Sequence, residues 1–555
     1  MKRAFHWLKW LGGGAMQHPG QSDGRKEITR RHFIQLGGSL LLAACTPATV
    51  STTTAAPGTT TATAATTGTT LAATTTGAAP LASVRFLMAE NFWADWSPYA
   101  STALSQLRLE RQVYDFLIDF PSGDLGSPEA MLATSWSQVD DLTWEFALRE
   151  GVSFHDGSPL TAEDVKASIE LASGFSGTSA YSINWLPAQV EVVDASTVRI
   201  GTEQPFAPLL VALAWYAPIL PAAFIASPSP TPNGTGAFRL VSDEVNVKTM
   251  EANSDYWRDP PRIQQLVWEF IQDPQTRLSA LLDGAAHAID RVPPEHLPLL
   301  EGEEGIELVS VTGIESVNLF VRPGRLPLWD ENANFRRAVQ WSFDRRPLAE
   351  NLVLGNSRAA QSYLPTNTQF FAPQQPDYVF NPDMVAEELA AGGITDGGPE
   401  FELHVAEGFL PRATEVVQAI VGQMEQAGLH PTVVTSDLAG MIDDIFTDGG
   451  TGAMYHISWA SSGDPHHAAA VYSSAFAWYF GDETLQGFIE QGQTTIDPAQ
   501  REQVYADLQA HMWEQAWHVP LYNSDFTIAH SANLKGMLVQ PNVFKTDFYT
   551  AELVE

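Results

Sequence analysis

The chain has 555 residues, a formal net charge of −35 at pH 7 and a single cysteine. That acidity excludes a surface built for nucleic-acid phosphates or for electrostatic docking on anionic lipid. One cysteine excludes a disulfide framework and a cysteine zinc site, so a body of this length must hold together by core packing.

The first 44 residues run against the overall charge, with seven Lys or Arg and two acids. Within them Thr29-Arg30-Arg31-His32-Phe33 precedes an apolar stretch that ends in Leu42-Ala43-Ala44-Cys45. Leu36 to Ala44 is too short to span a bilayer, which needs ~20 residues, and long enough for the core of a signal peptide. The twin arginine reads as a Tat-type export signal over residues 1–44. Leu-Ala-Ala-Cys resembles the lipobox of bacterial lipoproteins, which makes Cys45 the expected lipid-attachment residue. Residues 46–80 hold 16 Thr and 10 Ala, with no charge and no aromatic. Such a segment buries too little to offset its ordering entropy, so a disordered tether is expected over 45–80. As a coil it would reach roughly 30 Å.

From 81 onward strand-like and helix-like segments alternate, which predicts α/β domains. Trp144, Phe146 and Leu148 alternate with Glu145, Ala147 and Arg149, the period of a half-buried strand. His155-Asp156-Gly157 supplies a turn, and Thr161 with Glu163 and Asp164 opens a helix with a capping box. Gly234 and Gly236 permit a tight turn near a domain crossing. Phe335, Ala338, Val339 and Phe343 share one helix face, with Arg336 and Arg337 read as surface ion-pair partners of Asp344. Val416, Val417, Ile420, Val421 and Met424 line another helix, closed by Gly428. Asp497-Pro498 starts a third, with Val504, Leu508 and Met512 on its buried stripe.

Several of these segments together resemble family 5 solute-binding proteins of ABC importers, the oligopeptide- and dipeptide-binding lipoproteins among them. The resemblance rests on Tyr114-Asp115-Phe116-Leu117, on Leu148-Arg149-Glu150-Gly151 through His155-Asp156-Gly157, and on Leu160-Thr161-Ala162-Glu163-Asp164-Val165. Gly234-Thr235-Gly236-Ala237-Phe238, Asn253-Ser254-Asp255-Tyr256-Trp257, Phe335-Arg336-Arg337-Ala338-Val339 and Val519-Pro520-Leu521-Tyr522 continue it in order. It implies a two-lobed, periplasmic-binding-protein-like clamshell with an extra small domain and mixed sheets flanked by helices. The first lobe would combine 81–121, 205–311 and 519–555, with the small domain at 122–204 and the second lobe at 312–518. A small solute, a peptide first, would bind between the lobes and pass to the permease and ATPase subunits. The protein would act as a monomer without enzymatic activity or cofactor, outside the cytoplasm, held to the membrane only by the lipid on Cys45. An oligosaccharide or metal chelate as ligand, or a sensory role, stays open.

Peptide-binding members carry a Trp followed three residues later by an Asp that pairs with the peptide's free amine. Here Trp459 fits, but Ser462 stands at the third position and Asp464 follows two residues later. Either Asp464 shifts to meet the amine or no amine is bound. Trp459, Ser462 and Asp464 are therefore candidate ligand contacts, with Asn91, Trp93 and Trp96 from the loop after the first strand. Adjacent His466 and His467 on an extended strand would point opposite ways, so no metal site is read there. A secreted glycosidase is the rival from another class. Its carboxylate pairs would be Asp140-Asp141, Glu303-Glu304 or Asp443-Asp444, and adjacent carboxylates do not face one centre from opposite sides.

Overall fold

Two long strands carry the architecture. Ile306–Val321 and Val519–Ser531 run antiparallel through the middle of one large mixed sheet. The computed structural model describes residues 82–89, 96, 104–121, 124–174, 187–226, 231–354, 356–447, 449–460, 463–474, 479–540 and 545–554, all within the unit Pro80–Glu555. Cys45, the twin arginine and the tether lie outside the described residues, as do Asn91, Trp93 and Ser462.

On one flank of the two long strands lie Met454–Ala460, Glu400–Ala406 and His430–Ser436. On the other lie Ala288–Ile289, Ser83–Met88, Gln265–Phe270, Val247–Ala252 and Phe238–Asp243. Two large cores cover these flanks, with a smaller third cluster around Leu87, Leu281, Ile289 and Ala529. One large core gathers Val84, Phe86, Trp215, Trp268 and Phe526, and the other Leu319, Trp329, Phe335, Tyr455 and Tyr522. Each long strand therefore passes from one core to the other. The change falls between Val311 and Val317 on the first strand, and between Tyr522 and Phe526 on the second. The ladder slips at the same place, between Val311 and Glu315. Gly313 sits in the slip at φ 63°, a conformation that costs glycine no Cβ strain, and its N–H donates to Asp525 Oδ1 at 2.8 Å. A break in a two-strand link is where two lobes can bend against each other.

The antiparallel strands Ala133–Asp140, Thr143–Leu148, Thr197–Thr202 and Ala188–Asp194 form a smaller sheet in that order. Phe146 and Leu148 are buried there while Glu145 and Ala147 stay half-exposed, following the sequence alternation. Helix Ala162–Gly174 covers it. Thr161 N and Oγ1 donate to Asp164 Oδ2 at 2.8 and 2.6 Å, and Asp164 Oδ1 accepts from Ala222 N at 2.8 Å. The His155 turn ties this sheet to the first core. Its amide donates to Gly234 O at 2.8 Å and its Nε2 to Gly236 O at 2.9 Å. A Cβ on Gly236 would meet the Val113 carbonyl carbon at 2.5 Å, so the glycine is required by close backbone approach.

The helices of the second core match their sequence signals, with corrections at Phe343, Arg336 and Asp344, and at Val504, which is half-buried while Tyr505 joins Leu508 and Met512 on the buried stripe. In Ala413–Gln426 the five expected residues are buried, and Gly428 follows at φ 88°. Asp497 Oδ1 accepts from Gln500 N at 2.9 Å at the start of Pro498–Gln515. Phe343 is buried but lies past the end of helix Ala333–Trp341. Arg336 is not a surface group: it is buried, donates to Trp329 O and Gln515 O, and lies over the Trp517 ring. Its neighbour Arg337 pairs with Glu388, and Asp344 caps Arg346 N instead. Among the described residues no helix is long and apolar enough to cross a membrane.

Candidate functional site

Strand Met454–Ala460 delivers Trp459 to the edge of the second core, opposite Ser316 in the ladder. The chain then turns at Gly463, φ 90°, into the short helix Pro465–Ala470. Asp464 is its N-cap: Oδ1 accepts from His466 N at 2.8 Å. Asp464 does not stand free for a ligand amine. Both its oxygens are held at 2.8 Å by the two terminal nitrogens of Arg501, whose Nε donates to Gly492 O. Burial pushes the Asp464 pKa up, but the Arg501 charge and fork outweigh it and leave the carboxyl below its usual range.

The two histidines lie on a helix, not on an extended strand, and both line the same gap. His466 meets Phe206 edge-on at 6.3 Å, and His467 meets Tyr216 at 5.7 Å and Trp459 at 5.8 Å. Tyr216 ends helix Leu209–Tyr216, which belongs to the first core, and its hydroxyl lies 2.9 Å from His467 Nδ1. The contact therefore joins the two cores beside a narrow gap with room for about one water molecule. Phe206, Pro208, Val211 and Ala212 form its apolar wall, facing Asp464, His466 and His467. Burial pulls the His466 pKa to about 4 and the His467 pKa to about 3, so both imidazoles are neutral at pH 7. Trp459 Nε1 and His466 Nδ1 are buried without a hydrogen-bond partner.

Beside Trp459 lies a polar chain that fixes a tautomer. Asn318 Nδ2 donates to Ser316 O, so Asn318 Oδ1 is the acceptor that faces His518 Nε2 at 2.7 Å. His518 therefore carries its proton on Nε2, and its Nδ1 accepts from the Tyr472 hydroxyl. Behind, at the strand slip, Glu315 accepts from Ser458 Oγ at 2.6 Å and from Arg291 at 3.2 and 3.4 Å. That pair lines a second cleft of about 390 Å³ of non-atom space, with Asn356 and Asp525.

Trp96, expected to face the ligand, is buried in the first core instead. Its Nε1 donates to Asp243 and its carbonyl accepts from Tyr114 Oη. Among the described residues no group of three or more His, Cys, Asp or Glu could hold a metal ion. Of the adjacent acid pairs, Asp140-Asp141 and Glu303-Glu304 are exposed, and Asp444 is bound to Tyr455 and Arg325. Sequence reasoning missed Tyr216, Phe206, Arg501 and Glu315. Tyr216 directly follows the apolar run Leu209-Leu210-Val211-Ala212-Leu213-Ala214-Trp215, which signals only a core helix.

Residues 127–479 match the model of the bacterial extracellular solute-binding proteins, family 5, in its middle region. The chain belongs to that family. The glutathione-binding protein GsiB of Escherichia coli K12 is 26% identical over 443 residues, which cover 74% of this chain and 84% of GsiB. The dipeptide-binding protein of Pseudoalteromonas sp. SM9913, solved with Met-Leu, superposes with a TM-score of 0.75 at 19% identity, covering 85% of this chain and 100% of that one. NikA of Staphylococcus aureus, solved with Ni(L-His)2, gives a TM-score of 0.73 at 18% identity over the same shares. Both likenesses are of fold.

Proposed function

We propose that this chain is the extracytoplasmic receptor of an ABC importer, which closes its two lobes over a small solute and presents it to the permease. The observation that carries the reading is the meeting of two cores at Tyr216 and His467, beside a gap with walls from both. Closure would bury a ligand between the lobes, with the bend at the strand slip near Gly313. The lobes would follow the segments 81–121, 205–311 and 519–555 against 312–518, with 122–204 as an accessory domain. A peptide is the first ligand to test, since relatives bind glutathione and Met-Leu, and a metal chelate follows from NikA. No chemistry on the ligand is required, and the chain works as a monomer.

Thermal shift with peptides, sugars and metal chelates tests this. A true ligand at one hundred times its Kd stabilises by ~2.7 kcal/mol. Trp459→Ala is expected to abolish that shift and leave the unliganded melting point nearly unchanged, because the ring is only partly buried. A large fall in the unliganded value would make Trp459 a core residue. Steady turnover of a sugar or peptide would overturn the receptor reading. Cys45, as the lipidated residue, would hold the receptor near the permease and raise its effective concentration there. Cys45→Ser is expected to release folded, ligand-competent protein into the medium, and retention on membranes would refute the anchor.

A further inference from the structure

The two long strands present different side chains on their two faces where they pass between the cores. Ser316 lies opposite Trp459 on one side and Asn523 on the other, so these three leave one face of the sheet. Glu315 lies opposite Ser524, and Ser458 precedes Trp459, so these leave the opposite face. The Trp459 face carries the closing contact: its ring meets His467, which meets Tyr216 of the first core.

The Glu315 face carries a cleft of its own. Arg291, Pro294 and Phe526 wall it on the side of the first core, and Val353, Asn356 and Pro411 on the side of the second. It has room for about two water molecules, against about one in the gap at Tyr216. One ion pair crosses it. Glu315 accepts from Arg291 at 3.2 and 3.4 Å and from Ser458 Oγ at 2.6 Å. The Arg291 guanidinium lies over Phe526 of the first core at 5.7 Å, and Ser458 belongs to a strand of the second. Glu315 is therefore held from both sides of the bend.

A two-strand link that bends away from one face bends toward the other. Opening at Trp459 therefore narrows the cleft at Arg291, and closing widens it. The closed form also carries a cost on the Trp459 side. Trp459 Nε1, His466 Nδ1 and both amide atoms of Asn523 are buried without hydrogen-bond partners. Opening that side admits water to such groups, which favours the open form while no solute is bound. Free space on the Glu315 face is what lets the lobes make the movement.

We infer that the cleft between Arg291 and Asn356 is the clearance of the hinge: it shuts as the solute side opens, so filling it holds the receptor closed without a solute. The inference rests on the receptor reading above and deepens it, because it adds a second face at which closure is controlled.

Tryptophan wedges test it. Asn356→Trp and Pro411→Trp each bring an indole to the cleft from a different segment of its second wall. Pro411 is exposed and Asn356 half-buried, so neither change removes core. The readout is hydrogen exchange in the unliganded full chain, where protection follows the fraction closed. The Ala207 amide, next to Phe206 of the first core, donates at 2.8 Å to Gln493 O on helix Glu483–Thr494 of the second, so its protection reports closure. The amides of strand Ser83–Met88 report folding of the first core. Both wedges are expected to slow exchange at Ala207 by about tenfold or more with Ser83–Met88 unchanged, and Asn356→Ala to leave it at or above the wild-type rate. Unchanged or faster exchange at Ala207 in a wedge variant whose Ser83–Met88 amides stay protected would overturn the inference. So would equal slowing in Asn356→Ala, which removes the bond from Asn356 Nδ2 to Asp525 O and fills nothing. If Asn356→Trp unprotects Ser83–Met88, Pro411→Trp decides. Wedges without effect would remove this inference and keep the receptor. Turnover of a solute would remove the receptor and leave the hinge result standing.

Discussion

Arg501→Met is expected to destabilise the protein by ~3–5 kcal/mol, the cost of leaving a buried carboxylate without its partner. The pair is buried on both sides, and the fork makes two bonds of 2.8 Å. Solvent screening therefore does not discount it as it would a surface pair. Asp464 also caps helix Pro465–Ala470, so the fork fixes the start of the segment that carries both histidines. Asp464→Asn keeps a capping oxygen and removes the charge. The double variant Asp464→Asn with Arg501→Met should recover much of the loss, since neither charge remains to be compensated. Urea unfolding with a shifted midpoint and unchanged slope is the measurement. A cost below ~1 kcal/mol for Arg501→Met would mean that water already reaches Asp464, as at a surface pair. The carboxylate would then be free for a ligand amine.

The local elements were legible because their signals are local. Asp497 caps, Pro498 takes the first turn and a buried stripe follows, all within one helix. The same signal stands at Asp464-Pro465, and the structure uses it identically. Reading His466 and His467 as strand residues overlooked it, and so placed on opposite faces two rings that line one gap. Arg336 shows a different failure. Its spacing on helix Ala333–Trp341 suits a surface cation, but the Gln515 carbonyl is 179 positions away in sequence, and Trp517 lies beyond it. The cross-lobe contact was invisible for the same reason, since Tyr216 and His467 are separated by 251 positions. Periodicity and caps report a residue's own element; a partner that distant is set by topology. The strand slip at Gly313 has no pattern of its own in the sequence and emerges only from two cores sharing two strands.

Acid is expected to weaken the protein steeply between pH 6.5 and 4, ahead of ordinary carboxylate titration. Burial lowers six histidines in the folded state: His287, His155, His456 and His466 (the last three to about 4), and His467 and His518 to about 3. The unfolded chain takes up these protons near pH 6.5 and the folded chain refuses them. Stability is therefore full above that value and falls as pH descends, until the folded groups titrate in turn. Each histidine contributes a slope of about 1.4 kcal/mol per pH unit inside the window, so the last five together rival a typical total stability of ~5–15 kcal/mol. The lowered carboxyls of Asp464, Asp119 and Glu315 add their loss only below pH ~4, after most of the histidine effect. Asp115 works the other way, since burial raises its pKa and acid relieves that penalty. Urea midpoints at pH 7.5, 6.5, 5.5 and 4.5 give the slope, and His456→Leu should reduce it by about one proton. His456 suits this test because both its ring nitrogens lack partners and it lies away from the gap lining. His467 and His466 lie at the contact between the cores, and parting the lobes exposes them without unfolding either core. The lobes should therefore separate at a higher pH than the cores melt, seen as growth in radius of gyration by small-angle scattering with far-UV dichroism unchanged. Stability flat from pH 7 to 5, or scattering and dichroism changing together, would refute that order of events.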